Sequence, residues 1–165
     1  MSTVHHLSLL QNMPVFGAVS EDTLAFIIDR SKPMSVARET FFFRDTDDAT
    51  SMFVIQSGRV AVLRERNGQP YQLAELGPGD CFGEMALIEC APRSASVQAL
   101  EDCTALELGL DVLHALYEHD LEQFVLIQMN LAREVSRRLR SADEQLFSAR
   151  VAASDFGADY RWFLM

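Results

Sequence analysis

The sequence predicts a mainly β domain, a small closed or sandwiched antiparallel unit with helices on either side. Three observations predict it. Between Met34 and Leu110 short apolar runs alternate with turns, and Asn67-Gly68, a strong hairpin signal, lies between Val60–Glu65 and Tyr71–Glu75. Ahead of this stretch, Ser20-Glu21-Asp22-Thr23 combines an N-cap with acids in a first helical turn. Behind it, Leu110 to Arg150 contains neither glycine nor proline.

Taken in order, Val4 to Phe16 reads as a short helix ending near Pro14. A second helix is expected over about 21–31, with Leu24, Ile27 and Ile28 as its apolar stripe and Pro33 as its stop. Strands are expected at 34–38, 40–44, 51–57, 59–65, 70–76, 94–100 and 103–109, and Gly58 separates the third from the fourth. Leu110–His119 is then a short helix and Leu121–Ala149 a long one, with a bend at His119-Asp120. On the long helix Leu131, Val135, Leu139, Ala142, Leu146 and Ala149 recur at threes and fours, a face longer than a small β unit covers. It suits pairing with a second copy, and packing on its own domain accounts for it as well. Residues 1–150 are expected to form one domain, with its β part at about 34–110 and its C-terminal helices at about 110–149. Residues 151–165 are expected to be a short tail.

Composition narrows the function. At 48% hydrophobic and 23% charged, the chain is ordinary for a globular protein of 165 residues, long enough for one core. The net charge of −10 disfavours non-specific contact with DNA or anionic lipid. Residues 131–150 run against that trend, with five arginines and three acids, and read as a solvated helix rather than a nucleic-acid grip. No apolar run approaches the ~20 residues of a membrane span, and the N-terminus lacks the pattern of a secretory signal, so no membrane partner and a cytoplasmic location are expected. Cys81, Cys90 and Cys103 are odd in number with no C-x-x-C spacing, which suggests neither a disulfide framework nor a zinc site. His5, His6, His114 and His119 all fall outside the β region, where a metal enzyme of this build would need its ligands. No nucleophile–base constellation is visible, so no enzyme, metal or cofactor is expected.

The chemistry concentrates in residues 77–97, GPGDCFGEMALIECAPRSASV. Gly83 allows a backbone to approach a ligand closely and tolerates positive φ. If Glu84 begins a short helix, the unpaired N–H groups of its first turn favour an anion. Arg93, nine residues on, can neutralise a phosphate through charge-assisted hydrogen bonds. Glu84 cannot serve a phosphate, but it can accept hydrogen bonds from hydroxyls, a ribose 2′-OH above all. One acid for a sugar and one base for a phosphate describe a nucleotide of low negative charge.

The string Phe82-Gly83-Glu84-Met85-Ala86-Leu87, followed after four residues by Pro92-Arg93-Ser94-Ala95-Ser96-Val97, resembles the phosphate-binding cassette of cyclic nucleotide-binding domains. Such domains occur in cAMP receptor proteins, protein kinase A regulatory subunits and cyclic-nucleotide-gated channels. The resemblance covers roughly residues 10–145, and the cassette is its most specific part. It implies an antiparallel β-roll, a double-sheet jelly roll with N-terminal helices and a long C-terminal helix. It implies a cyclic nucleotide ligand held by Gly83, Glu84, Met85, Ala86, Arg93 and Ser94, with Met85 and Ala86 acting through backbone N–H groups. Ser94 either donates to the phosphate or starts the next strand. In the family threonine at this place accompanies cGMP and alanine cAMP, while bacterial cAMP receptors carry serine, so cAMP is favoured over cGMP.

For the base, bacterial receptors use the long helix where Arg140, Ser141, Ala142 and Asp143 stand here, and this sequence lacks their pair of hydroxyls. Arg140 and Ser141 are the candidate base contacts. Tyr160, Trp162 and Phe163 could stack on the base, or pack on the domain or a partner. A further departure is Thr46, where the family usually has glycine, in a turn expected to lie away from the pocket. After Arg150 there is no room for the helix-turn-helix of the bacterial regulators, so a stand-alone sensor is expected. It would act through a homodimer or an unidentified effector protein, without nucleic acid. The alternatives are a ligand-free scaffolding protein that keeps the fold, and a DNA-binding regulator, which would need a reader helix not visible here.

Overall fold

The structure, a computed structural model, describes residues 3–89 and 91–162. Helix α1 spans Thr3–Gln11, and a separate 3₁₀ turn spans Pro14–Phe16. The single expected helix is therefore broken. Pro14 starts the tighter turn, where its missing N–H does no harm. Helix α2, Glu21–Arg30, is capped by the Ser20 hydroxyl, which accepts the Thr23 N–H at 3.2 Å, with Glu21 and Asp22 complementing the dipole.

Eight strands follow: β1 Lys32–Val36, β2 Phe41–Phe43, β3 Ser51–Ser57, β4 Val60–Arg66, β5 Gln69–Leu76, β6 Cys81–Phe82, β7 Ser96–Ala99 and β8 Cys103–Gly109. They form two antiparallel four-stranded sheets, ordered β1-β8-β3-β6 and β2-β7-β4-β5. This is the double-sheet roll that the sequence predicts. Pro33 does not stop α2 from a distance. It lies inside β1, an edge strand, where a missing N–H is tolerated. The short strand β6 was not legible in the sequence, and β7 starts at Ser96 rather than residue 94. Asn67 and Gly68 have φ of 54° and 75°, the two left-handed positions of a tight hairpin turn between β4 and β5.

Strand β3 explains why the roll has two cores. Its residues from Ser51 to Gln56 are all buried, because both faces of the strand are covered. Phe53 and Ile55 point between the sheets with Val60, Phe82, Val97 and Ala105. Met52 and Val54 point the other way, into a second core with Leu10, Phe16, Leu24, Ile27 and Leu131.

Helix α3, Met85–Glu89, interrupts the strands. Helices α4, Leu110–His119, and α5, Leu121–Trp162, follow β8. The bend between them falls at Asp120, whose carboxylate accepts the Gln123 N–H at 3.1 Å and so caps α5. α5 does not end near residue 149. The stretch expected to be a tail continues the helix to Trp162. Of Tyr160 and Trp162 only the backbone is described, and Phe163 and Cys90 lie outside the described residues. Among the described residues no helix is long and apolar enough to cross a membrane.

α5 has two faces. Ile127, Asn130, Leu131 and Glu134 are buried on the domain, whereas every residue from Leu139 to Ala153 is exposed. Leu131, which the sequence places in one stripe with Leu139 and Leu146, belongs to the inward face and is 0% exposed, against 61% and 53% for the other two.

Candidate functional site

The site is built where β6 delivers the chain beside the start of β3. Phe82 pairs with Phe53 and Cys81 with Val54, so Gly83 emerges against Ser51. Gly83 has φ of 77°, and a Cβ there would stand 2.6 Å from Arg93 Nη1 and 3.3 Å from the Ser51 carbonyl oxygen. Glycine is required twice over, by conformation and by the guanidinium packed on it. The Glu84 carbonyl then accepts the Leu87 N–H at 3.0 Å, opening the first turn of α3.

Arg93 is drawn under the sheet edge and is 7% exposed. Its Nη1 donates to the Ser51 carbonyl at 2.7 Å and to the Gly83 carbonyl at 3.3 Å, and its Nη2 donates to the Ser51 hydroxyl at 3.4 Å. Its Cζ lies 4.0 Å from the centroid of the Phe43 ring, a cation–π contact. The Nε is buried with no hydrogen-bond partner in the structure, and among the described residues Arg93 makes no ion pair. Burial lowers its pKa, and the carboxylates of Glu107 and Asp47 act against that at longer range. A buried cation held only by carbonyls, a hydroxyl and a ring is electrostatically incomplete, and it favours an anion.

The backbone of Arg93 is fixed by the turn that carries Thr46. The Thr46 N–H donates to the Arg93 carbonyl at 2.9 Å, and the Arg93 N–H donates to the Asp47 carbonyl at 2.9 Å. The turn is therefore joined directly to the site, contrary to the sequence expectation. Thr46 adopts φ of 72°, a region unfavourable for a β-branched residue. Ser96, which shares the turn's framework, accepts the Asp45 N–H at 2.9 Å.

Glu84 is held from another direction. It is 5% exposed, and its Oε1 accepts from Arg138 Nη1 on α5 at 2.8 Å. Arg138 also donates from Nη2 to the Cys81 carbonyl at 2.8 Å and from Nε to Glu134 at 3.1 Å, and Glu134 is paired with Arg137 as well. Burial works against the Arg138 charge, but the carboxylate of Glu84, with Cys81 and Glu134 adding, raises its pKa overall. Burial pushes the adjacent Cys81 thiol up to about 12, the Glu84 charge adding to it.

The structure thus brings Gly83, Glu84, Met85, Arg93 and Ser94 together. The Ser94 hydroxyl is exposed and donates to Met85 Sδ at 3.6 Å. Arg140 and Ser141 stand exposed on α5 beyond Arg138. Arg138 is the site residue that sequence reasoning missed. Its signal was periodicity, for Ile127, Leu131, Glu134 and Arg138 follow one another at fours and threes along the inward face. An open cleft of about 290 Å³ beside Lys32 and Glu107 reaches the site through Ser51, and another of about 430 Å³ lies apart from it, between α1 and the Pro78–Asp80 turn. Among the described residues no cluster of three or more His, Cys, Asp or Glu could hold a metal ion.

A glycine turn, a buried carboxylate and a buried arginine at the mouth of a double-sheet roll are matched by a family model described as the cyclic nucleotide-binding domain, over residues 33–120. The chain belongs to that family. It is 39% identical over 105 residues to the cyclic AMP receptor protein of Thermus thermophilus, an alignment that covers 63% of this chain and 47% of that protein. The chain thus spans about half the length of that relative. Among solved structures, the Thermus thermophilus catabolite activator protein superposes with a TM-score of 0.72 at 32% identity, covering 81% of this chain and 61% of that one. The regulatory domain of Toxoplasma gondii PKA, crystallised with cAMP, gives 0.64 at 29% identity, covering 68% and 43%. As a member of the cyclic nucleotide-binding domain family, the chain is homologous to regulatory domains.

Proposed function

We propose that this protein is a cyclic nucleotide sensor in the cytoplasm that takes cAMP in preference to cGMP. The nucleotide phosphate lies against Arg93 and the Ser94 hydroxyl, and the backbone of Gly83, Glu84, Met85 and Ala86 cradles phosphate and ribose. The ribose 2′-OH donates to Glu84. The base lies toward α5, in the stretch that carries Arg140 and Ser141. The preference for cAMP rests on serine at position 94. One observation supports this above the rest: among the described residues Arg93 is a buried cation with no carboxylate in contact, at the place where a phosphate would complete it.

Signalling follows from the partner of Glu84. A sugar hydroxyl that engages Glu84 competes with Arg138, so ligand and helix position are linked, by as much as the ligand's affinities for the two arrangements differ. The outward face of α5 supplies the output. Val125, Ala132, Leu139, Leu146 and Ala153 recur every seven residues, and Leu121, Gln128, Val135, Ala142 and Ala149 run beside them, an a/d seam on one helix. That seam pairs with a second copy of the chain in parallel, and the signal passes through the dimer to an effector protein.

Removing the phosphate contact is the test. Arg93→Ala and the milder Arg93→Gln, each shown to be folded, should lose about 1.5–3 kcal/mol of cAMP affinity, roughly tenfold to over a hundredfold. Equal affinity in wild type and both variants would remove the proposal.

A further inference from the structure

Arg138 sits at a special place in the heptad pattern of α5. With Leu121 at a d position and Val125 at an a position, Arg138 falls at g and Asp143 at e of the following heptad. In a parallel two-stranded coil a g residue of one helix faces the e residue five places further along the other. Arg138 of one copy therefore faces Asp143 of a second copy, and the two-fold axis repeats the pair. Of the other g positions, Leu131 is buried on its own domain and takes no part, whereas Phe124 and Gln145 are compatible with this register. Phe124 would face Met129, both apolar, and Gln145 would face Arg150. Asp143 is exposed and, among the described residues, forms no ion pair on its own chain, whereas Arg138 is 36% exposed in its side chain while bound to Glu84.

We propose that Arg138, anchored through Nε to Glu134, shares its Nη1 end between Glu84 of its own cassette and Asp143 of a second copy, and that a nucleotide ribose on Glu84 shifts that end toward the second copy. The inference rests on the dimer and nucleotide readings above. When Glu84 accepts a ribose hydroxyl it has less capacity for Arg138 Nη1, and while Nε and Nη2 keep Glu134 and the Cys81 carbonyl, the displaced Nη1 needs another acceptor. Asp143 of the second copy is the acceptor that the heptad register supplies. Binding stays with the cassette of each chain, and ligand occupancy is read out as dimer strength.

A charge-pattern experiment tests this on the full chain. Asp143→Arg places two arginines opposite each other at both symmetric positions, and Arg138→Glu places two acids there, so each variant alone should form a homodimer roughly tenfold or more weaker than wild type. Mixed together, the two variants restore opposite charges at both positions and should pair with each other in preference to themselves. Sedimentation equilibrium with differently labelled variants reads both results. Circular dichroism confirms that each is folded.

The shift is read with cAMP itself. Saturating cAMP should tighten the wild-type dimer, and Asp143→Asn should abolish that tightening while still binding cAMP. An Asp143→Arg homodimer as tight as wild type, a mixture with no preference, or full cAMP-induced tightening in Asp143→Asn would each overturn the proposal. A separate probe isolates the dimer reading. Leu139→Cys, at an a position, should cross-link to itself under oxidation beyond the wild-type background. If it does and the charge variants behave as wild type, the dimer stands and the shared arginine falls. If it does not and wild type sediments as a monomer with cAMP present, both fall.

Discussion

The two charged groups of the cassette are held in opposite ways. Arg93 is fastened by the β-roll, through the carbonyls of Ser51 and Gly83 on its side chain and the Thr46–Asp47 turn on its backbone. Among the described residues, none that holds it lies on α5. Glu84 stands one residue from Gly83, yet its strong partner is Arg138, 54 residues away on the long helix. In the proposed mode of binding, the phosphate side is thus set by the roll and the sugar side by where the helix lies. On the proposed function, such a pocket binds with one half and reports with the other, because Arg138 ties Glu84 and the Cys81 carbonyl to the helix and a ribose competes for the first of them.

The largest expected effect would break the fixed half. Gly83→Ala puts a Cβ into the Arg93 guanidinium at positive φ, and should destabilise the fold by about 2 kcal/mol or more. Urea unfolding measures it. A neutral result would mean that Arg93 is not held as described.

Next, Arg138→Ala tests the movable half. It leaves Glu84, 5% exposed, without its cation, and should cost about 1–2 kcal/mol of stability, discounted for the partial exposure of Arg138. Its cAMP affinity should suffer less than that of Arg93→Ala, since the ribose no longer competes for Glu84. Equal losses of affinity in the two variants would contradict the division between the halves.

A smaller effect sharpens the fixed half. Thr46 takes a conformation suited to glycine, so Thr46→Gly should raise stability by about 1 kcal/mol without weakening nucleotide binding. A thermal melt is sufficient to see it.

The smallest effect is a slope. The Cys81 thiol, pushed up to about 12 from 9.0, keeps its proton in the folded chain at pH values where the unfolded chain has lost it. Stability should therefore fall as pH climbs from about 9 toward about 12. Urea unfolding at about pH 8 and about pH 10.5 should show a shallower fall for Cys81→Ala than for wild type.

These contrasts also show what a sequence discloses. The cassette was legible because its geometry is local: Gly83, Glu84 and Arg93 lie within a single stretch whose glycine and spacing carry the chemistry. The strands were legible from their apolar runs and from Asn67-Gly68, with ends displaced by a residue or two where backbone pairing decides them. β6 escaped because two residues are too few for a periodic signal. Arg138 escaped because an arginine on a helix is ordinarily solvated, and only the packing of α5 turns this one inward. The tie between the Thr46 turn and Arg93 escaped for a similar reason, since it runs through backbone groups that side-chain identities do not announce.

The central claim is that the roll binds a cyclic nucleotide through Arg93 and Glu84. Calorimetric titration of nucleotide-stripped protein with cAMP, cGMP and 5′-AMP tests it most directly. Binding of cAMP is expected in the micromolar range or tighter, with cGMP weaker and 5′-AMP much weaker than either. No heat with any of the three, on folded and ligand-free protein, would contradict it and leave an interaction module that keeps the fold without the ligand.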